Sequence, residues 1–254
     1  MARASAGPLP GCRMLSDPAR LCRSGTTHRE NGGTVRETPI TSADVSVEQR
    51  AVRYEWTTVT SALMDGTRVA EAVRVWAENA GDGGRWLGGW TSENGELGRV
   101  WVLRSFPDEE TLLAARHAMR LGGHPLSGTA EVTGIDVASF AGLPMMPKVE
   151  VGTLGPAYEI RDYTLVPGGL PGTIQGWRRA LPERDPIDPV TVVMYALDGP
   201  ERIVHVWPFQ SLDERVRIRR ELYAAGTWPP PGGPERIAHA TSTIAWPVPG
   251  SPLS

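Results

Sequence analysis

The stretch that decides the fold lies in the second half of the chain. It begins with Tyr158-Glu-Ile-Arg-Asp-Tyr-Thr-Leu-Val-Pro-Gly168 and ends, after a helical segment and a strand, with Ile203-Val-His-Val-Trp-Pro-Phe-Gln-Ser-Leu-Asp-Glu-Arg215. Runs of β-branched and aromatic residues that stop at Pro-Gly predict a strand followed by a turn. Both segments therefore predict strands, and the rest of this half can be assigned outward from them.

The second half has the order β-α-β-β-α-β. Leu170, Ile174 and Trp177 recur at helical spacing, so they predict a helix after the first strand. Ser211 and Glu214 are placed as a capping box, in which each side chain satisfies a free backbone amide at a helix start. The strands are predicted at 158–166, 190–197, 202–209 and 236–246, and the second helix at 211–223.

The first half is a weaker copy of the second. Tyr54-Glu55 matches Tyr158-Glu159, and the strand at 99–106 matches the strand at 202–209. A period of about a hundred residues indicates a duplicated domain. The copy predicts strands at 52–60, 86–92, 99–106 and 130–139, with helices at 69–80 and 107–120.

Together the two copies predict an α+β fold built from two tandem ferredoxin-like repeats. In each repeat the helices cover one face of the sheet, so the other face needs a partner. We expect the two sheets to pair into a dimeric α/β-barrel arrangement. The predicted organisation is a disordered tail at 1–50, a first repeat at 51–147 and a second repeat at 148–254.

Composition excludes several classes of protein. Of 254 residues, 40% are hydrophobic and 22% are charged, which is typical of a soluble globular domain. The net charge of −3 favours neither nucleic acid nor an anionic membrane, and no apolar run is long enough to cross one. Lys148 is the only lysine, which indicates a GC-rich bacterial genome. We expect a cytoplasmic protein.

Cysteine and histidine positions argue against a metal or disulfide scaffold. Cys12 and Cys22 both lie in the tail, and the five histidines are scattered along the chain. The tail also has no apolar segment of the kind that a secretory signal needs. Phosphate-loop, dinucleotide-binding and serine-nucleophile motifs are missing from the sequence as well. The sequence therefore predicts no metal and no cofactor.

Several motifs resemble those of the NIPSNAP family. The segment 158–168 is similar to the family's Y-E-L-R-x-Y-T-x-x-P-G, and Val204-His-Val-Trp207 with Ser211-Leu-Asp-Glu-Arg215 is similar to V-H-L-W and S-L-x-E-R. In the first copy, Leu87-Gly-Gly-Trp-Thr-Ser-Glu93 resembles G-x-W-x-T-E. The resemblance, which covers residues 52 to 254, implies the dimeric α/β-barrel fold and a small-ligand or interaction domain without one agreed chemistry.

The two copies differ at the positions that carry chemistry. The second has His205 where the first has Val102, and the first has Glu93 where the second has Ala196-Leu-Asp198. These differences predict one composite site that uses both halves. His205 alternates with Ile203 and Trp207 along its strand, and the opposite face carries valines. We expect the valines to pack under the helices and His205 to face the barrel interior.

The candidate catalytic residues are His205, Glu93 and Tyr195. His205 would act as acid, base or hydrogen-bond donor, but a buried structural histidine and a haem ligand are alternatives. Glu93 would supply a carboxylate, unless it is an exposed hairpin residue. Tyr195 would assist them in transferring a proton.

The candidate ligand-binding residues are Arg161, Tyr163, Trp207, Trp90 and Trp101. Arg161 and Tyr163 would anchor an anionic or phenolic ligand, with sheet packing as the alternative. The tryptophans would line a hydrophobic cavity.

The resulting hypothesis is a protein that binds a small apolar or aromatic molecule in a barrel pocket. If it is an enzyme, it would use cofactor-independent acid/base catalysis, as a cyclase, dehydratase or isomerase of secondary metabolism does. The alternatives are a non-catalytic protein-interaction module and a haem-binding or monooxygenase-like barrel. A homodimer or higher oligomer is also compatible with the sequence. An enclosed pocket would favour ligand binding, whereas a filled barrel with an exposed apolar patch would favour an interaction module.

Overall fold

The computed structural model describes residues 51–63 and 65–254. The predicted tail, its two cysteines and Met64 lie outside the described residues. Those that are described form β-α-β-β-α-β twice. The first unit contains β1 (Arg53–Ser61), α1 (Gly66–Asn79), β2 (Arg85–Ser92), β3 (Arg99–Phe106), α2 (Glu109–Gly122) and β4 (Val132–Gly142). The second contains β5 (Ala157–Leu165), α3 (Leu170–Arg184), β6 (Val192–Ala196), β7 (Arg202–Phe209), α4 (Leu212–Ala224) and β8 (Ile237–Pro247).

The strands close into one antiparallel barrel in the order β1-β3-β2-β8-β5-β7-β6-β4. Each repeat supplies four adjacent strands, and two seams join the repeats. At one seam Trp90 of β2 pairs with Pro247 of β8, and at the other Phe140 of β4 pairs with Ala196 of β6. The predicted fold of two ferredoxin-like repeats sharing one barrel is confirmed. The exact domain boundaries at 51–147 and 148–254 stay a prediction.

Side-chain caps fix where two of the helices begin. Asp108 accepts a hydrogen bond from the amide of Thr111 at the start of α2, over 2.8 Å. Ser211 accepts one from the amide of Glu214 at the start of α4, over 3.1 Å. The Glu214 carboxylate in turn accepts from the amide of Gln210, the residue before the cap. The capping box therefore forms, except that the Glu214 side chain binds the amide of Gln210 instead of the amide of the cap residue Ser211.

The barrel interior is filled at one end by large side chains. Tyr54, Trp90, Phe140 and Tyr158 are buried there with Val204 and other apolar residues of both repeats. An eight-stranded barrel is just wide enough for its side chains to fill it. This shared core holds the two repeats together.

The prediction that His205 faces the barrel interior is wrong. Val204 and Val206 belong to the interior cluster, whereas Ile203 and Trp207 pack on the helix side with Trp177 of α3. His205 shares their face of the strand and lies edge-on to Trp177. The small Val204 and Val206 pack among the large aromatic residues inside the barrel, whereas Trp207 packs between the sheet and the helices. Among the described residues, no helix combines the length and apolar character that a bilayer crossing requires.

Candidate ligand-binding site

The structure brings five of the eight sequence-predicted site residues to one surface, the helix-side face of the second-repeat sheet. They occupy neighbouring strands: Arg161 and Tyr163 on β5, His205 and Trp207 on β7, and Tyr195 on β6. Arg161 lies directly opposite His205 in the β5–β7 pairing, and Tyr163 lies opposite Ile203. The helix α3 covers this face with Trp177.

The other three predicted residues lie elsewhere. Glu93 is exposed at the β2–β3 turn, where its carboxylate accepts a hydrogen bond from the indole of Trp246 over 2.6 Å. Trp90 fills the barrel core, and Trp101 lines the open end of the barrel. The predicted composite site of His205 and Glu93 therefore does not form, because one is buried under α3 and the other is on a hairpin.

His205 is fully buried and neutral. Its Nδ1 accepts a hydrogen bond from the Trp207 indole over 2.6 Å, and its ring meets the edges of Tyr163 and Trp177 at about 5 Å. Burial, reinforced by the positive charges of Arg161 and Arg184, holds its pKa well below the usual range. With Nδ1 accepting, the proton is on Nε2, which has no hydrogen-bond partner among the described residues.

A cavity of about 170 Å³ lies beside this cluster, which we call the helix-side cavity. Sheet residues Arg161, Tyr163 and Ile203 line it from below, and α3 and the loop after α4 close it from above. Two glycines of α3 leave the space open. A Cβ on Gly176 would come within 3.3 Å of Pro230 in that loop. Its remaining apolar and aromatic walls are Trp177, Tyr223, Trp228, Pro229, Pro234 and Ile237.

Two buried polar groups in the cavity wall lack partners. Arg161 is 3% exposed and donates from one Nη to Glu159 over 2.9 Å, but its Nε has no partner among the described residues. Thr173, in the first turn of α3, is 6% exposed, and its hydroxyl is unpaired there too. A buried polar group left without a hydrogen bond costs about 1–3 kcal/mol. A ligand that accepted hydrogen bonds from both groups would remove that cost.

Glu159 anchors the arginines beneath the cavity. Its carboxylate accepts from Arg161, from Arg215 over 2.6 Å and from Arg219 over 3.2 Å, and it also bonds the hydroxyl of Ser242. Burial would raise the pKa of this carboxyl, but the hydrogen bonds and the arginine charges bring it well below its usual range. Glu159 is therefore ionised, and both of its carboxylate oxygens accept hydrogen bonds from these residues.

A second buried pair braces the wall of the cavity. Arg184 and Asp188 are both almost fully buried and form an ion pair of 2.5 Å. The Arg184 guanidinium is stacked between Trp207, at 3.6 Å, and Trp228, at 4.1 Å. Cation–π contacts of this kind are strongest when water is excluded. The pair thus fixes Trp228, which closes one side of the cavity.

The corresponding position in the first repeat is built differently. Glu55 pairs with Arg104 over 2.9 Å, and both are completely buried. Arg104 also binds Asp82 and lies over the rings of Trp76 and Phe106. Burial raises the pKa of Glu55, since one shared arginine offsets the lost hydration less than the three around Glu159. The repeats are specialised, and the open cavity described above belongs to the second.

A larger cavity of about 680 Å³ occupies the open end of the barrel. Trp56, Trp101 and Ile160 form its apolar part, and Asp136 and Asp162 form part of its polar rim. Burial raises the pKa of Asp162, whose carboxylate is paired with Arg202 over 3.3 Å. This mouth of the barrel is wide and has charged residues at its rim, in contrast to the small aromatic helix-side cavity.

Comparison with known proteins identifies the second repeat. A model of the NIPSNAP family matches residues 158–252. The protein Atu4242 from Agrobacterium tumefaciens is 31% identical to this chain, covering 39% of this chain and 99% of its own, with a TM-score of 0.36. A second structure of that protein, described as a NIPSNAP family protein, is 28% identical over 42% of this chain and 100% of its own, with a TM-score of 0.37. The chain belongs to the NIPSNAP family.

The family model matches the second repeat, and other structures extend the likeness to most of the chain. An anthrone oxidase-like protein is 12% identical, covers 83% of this chain and 97% of its own, and has a TM-score of 0.57. A protein provisionally assigned as a monooxygenase from Lactobacillus acidophilus NCFM is 9% identical, covers 79% and 98%, and has a TM-score of 0.54. At such identities the likeness shows the fold alone. No curated protein matches the chain significantly.

Some residues of this candidate site were not predicted from the sequence. Thr173 and Trp228 line the cavity, and Arg215 with Arg219 hold Glu159. The spacing of Arg215 and Arg219 by one helical turn was a usable signal, because it places both on one face of α4. Gly172-Thr173 and Gly176-Trp177, also one turn apart, indicated a helix face with open space. Among the described residues, no group of three or more His, Cys, Asp or Glu could hold a metal ion.

Proposed function

We propose that this NIPSNAP protein binds a small molecule with one aromatic ring in the helix-side cavity of its second repeat. The observation that carries the proposal is the pair of buried, unpaired donors, Arg161 Nε and Thr173 Oγ1, in the wall of an aromatic-lined cavity. Buried polar groups in native proteins are nearly always paired, so an exception needs an explanation. A ligand that accepts hydrogen bonds from both donors would explain why they have no protein partner.

The size of the cavity limits the ligand. A cavity of about 150 Å³ accommodates one benzene ring, and the helix-side cavity has about 170 Å³. Its walls combine Trp177, Trp228 and Ile203 with few polar atoms, which is typical of sites for small apolar molecules. We therefore propose a single ring with one small polar substituent.

Acid/base catalysis stays a hypothesis within this proposal. His205 lies edge-on to Tyr163 and Trp177, which line the cavity, and it is held by Trp207. Glu159 is ionised and bound to three arginines. Proton transfer to a ligand in this cavity would therefore use the phenol of Tyr163 or Tyr223, which belong to its lining. A cyclase, dehydratase or isomerase would need that step.

Filling the cavity tests the binding proposal. Benzyl alcohol, a neutral single-ring probe, would be titrated into the protein while the indole N–H signals of Trp177 and Trp228 are followed by NMR. The Gly176→Leu variant places a side chain in the helix-side cavity, and Thr58→Leu, its matched control, places one in the mouth of the barrel.

We expect saturable binding by the wild type and by Thr58→Leu, and its loss in Gly176→Leu. Thermal unfolding of all three proteins checks that Gly176→Leu is folded. Equal binding by Gly176→Leu and the wild type, or no saturable binding by the wild type, would overturn the proposal.

A further inference from the structure

We infer that the helix-side cavity selects an anion, namely a single-ring aromatic carboxylic acid whose carboxylate binds Arg161 and Thr173. The inference rests on the proposed function, and it adds the charge of the ligand and its orientation. Three features carry it: the unpaired Nε of Arg161, the charge balance around Glu159, and the unpaired hydroxyl of Thr173.

The first feature is the geometry of Arg161. A guanidinium presents five N–H donors in a fixed plane and binds carboxylates through two of them side by side. One Nη of Arg161 binds Glu159, but Nε is unpaired although the side chain is 3% exposed. Arg161 lines the cavity, so a ligand carboxylate bound there would supply the acceptor that this donor lacks.

The second feature is an excess of positive charge around Glu159. Arg161, Arg215 and Arg219 share the single carboxylate of Glu159, which leaves two positive charges without a counterion in this cluster. Neighbouring Arg184 and Asp188 balance each other, so they leave that excess unchanged. His205 is neutral and adds no charge. Arg161 is buried and shares its counterion with Arg215 and Arg219, which are partly exposed. Incomplete pairing of a buried charge is costly, and it favours an anionic ligand over a neutral or cationic one.

The third feature places the polar end of the ligand. Thr173 is in the first turn of α3, and its unpaired hydroxyl can donate to a second carboxylate oxygen. The nearby backbone amides of Gly168 and Leu170 are already bound by the carboxylate of Glu201. Recognition of the anion therefore rests on the two side chains. Trp177 and the proline loop supply apolar parts of the remaining walls, so the ring would lie against them.

The test compares three probes of similar shape that differ in charge: benzoate, benzamide and benzamidinium. Dissociation constants would be measured by NMR titration for the wild type, Arg161→Gln and Arg161→Lys. Glu159 keeps Arg215, Arg219 and Ser242 in these variants, so the charge cluster retains a partner for its carboxylate. Thr173→Val serves as a second, nearly isosteric variant should the arginine variants unfold.

We expect the wild type to bind benzoate at least about tenfold more tightly than benzamide, because a charge-assisted hydrogen bond contributes more than a neutral one. Benzamidinium should bind more weakly still. Arg161→Gln should abolish the preference for benzoate, and Arg161→Lys should keep part of it. Thr173→Val should weaken benzoate binding severalfold.

Three other outcomes would contradict the inference, and they differ in whether they also contradict the proposed function. Equal affinity for benzoate and benzamide in the wild type would overturn the anion inference and leave the proposed ring-binding function standing. An unchanged preference in Arg161→Gln would also overturn it, since the charge would then act from elsewhere. Failure of all three probes to bind would overturn the proposed function and this inference together.

Discussion

The indole N–H of Trp207 donates a hydrogen bond to Nδ1 of His205 over 2.6 Å, two residues away on the same strand face. This contact fixes the tautomer of the imidazole, because an accepting Nδ1 leaves the proton on Nε2. Protonation of Nδ1 would break the bond and place a third cation beside Arg161 and Arg184, whose charges already lower the His205 pKa. The pair therefore keeps His205 itself neutral, so it adds no charge to the arginines around it.

The depressed pKa of His205 gives a pH-dependent stability. In the unfolded chain His205 gains a proton as the pH falls through about 6.5, whereas in the folded protein it stays neutral. Because the unfolded state then binds more protons, stability falls with falling pH, by at most about 1.4 kcal/mol per pH unit. We expect urea unfolding between pH 7.5 and 5 to show a smaller loss for His205→Gln than for the wild type.

His124 provides the control for that experiment. Burial, followed by the charge of Arg104, lowers its pKa to about 4, so it contributes a slope of the same sign. The His124→Gln variant should remove its own share and keep that of His205. Identical pH profiles for His205→Gln and the wild type would contradict the neutral, buried state of His205.

The two equivalent glutamates should respond differently to the same substitution. Glu159→Gln removes the charge that holds Arg161, Arg215 and Arg219, and loss of one partner of a buried pair costs about 3 kcal/mol or more. Glu55→Gln leaves Arg104 bound to Asp82, so we expect a smaller loss of about 1 kcal/mol. Chemical denaturation of both variants measures the difference. Equal losses would show that the arginine cluster is not the source of the extra stability.

The repeat architecture could be predicted because its signals are local. Strand β7 was expected at 202–209 and is observed there, since β-branched residues and the capping box at Ser211 mark its limits. Which face of β7 lies inside the barrel could not be predicted. Both faces are buried, one in the barrel and one under α3, so hydrophobicity does not distinguish them.

The site was predictable only in part, for a related reason. Arg161 and Tyr163 stand out because a cation and a phenol lie two residues apart, on one face of a strand. Trp228 gave no comparable signal, and Thr173 had only that of the glycines on its helix face, because their role depends on how α3 and the loop after α4 approach the sheet. That approach is a tertiary contact between segments that are far apart in sequence.

The unpaired buried hydroxyl of Thr173 should lower the stability of the ligand-free protein and strengthen ligand binding. Thr173→Val removes the hydroxyl and keeps the β-branched shape, so we expect the ligand-free protein to gain about 1 kcal/mol. The same variant should bind benzoate more weakly. Thermal unfolding with and without benzoate measures both effects. Thr57→Val is the matched control: the buried Thr57 hydroxyl donates to Glu55, so its loss should destabilise the protein.

Self-association of the isolated second repeat tests the predicted division at 148–254. In the full chain, its interior residues Tyr158, Val204 and Val206 are buried in a cluster that also contains residues of the first repeat. Its edge strands β6 and β8 pair with β4 and β2 across the two seams. Alone, the repeat would expose both the apolar face and two strand edges, which is unfavourable in water.

A second copy of the repeat can cover the apolar face and pair with the two strand edges. The seams join β2 to β8 and β4 to β6, and β6 and β8 are the counterparts of β2 and β4 in the duplicated order. Two copies of residues 148–254 can therefore pair β6 of each with β8 of the other and close an eight-stranded barrel. We expect light scattering after size-exclusion chromatography to give the mass of a dimer. A folded monomer of the isolated repeat would show that the first repeat is not required to complete its core.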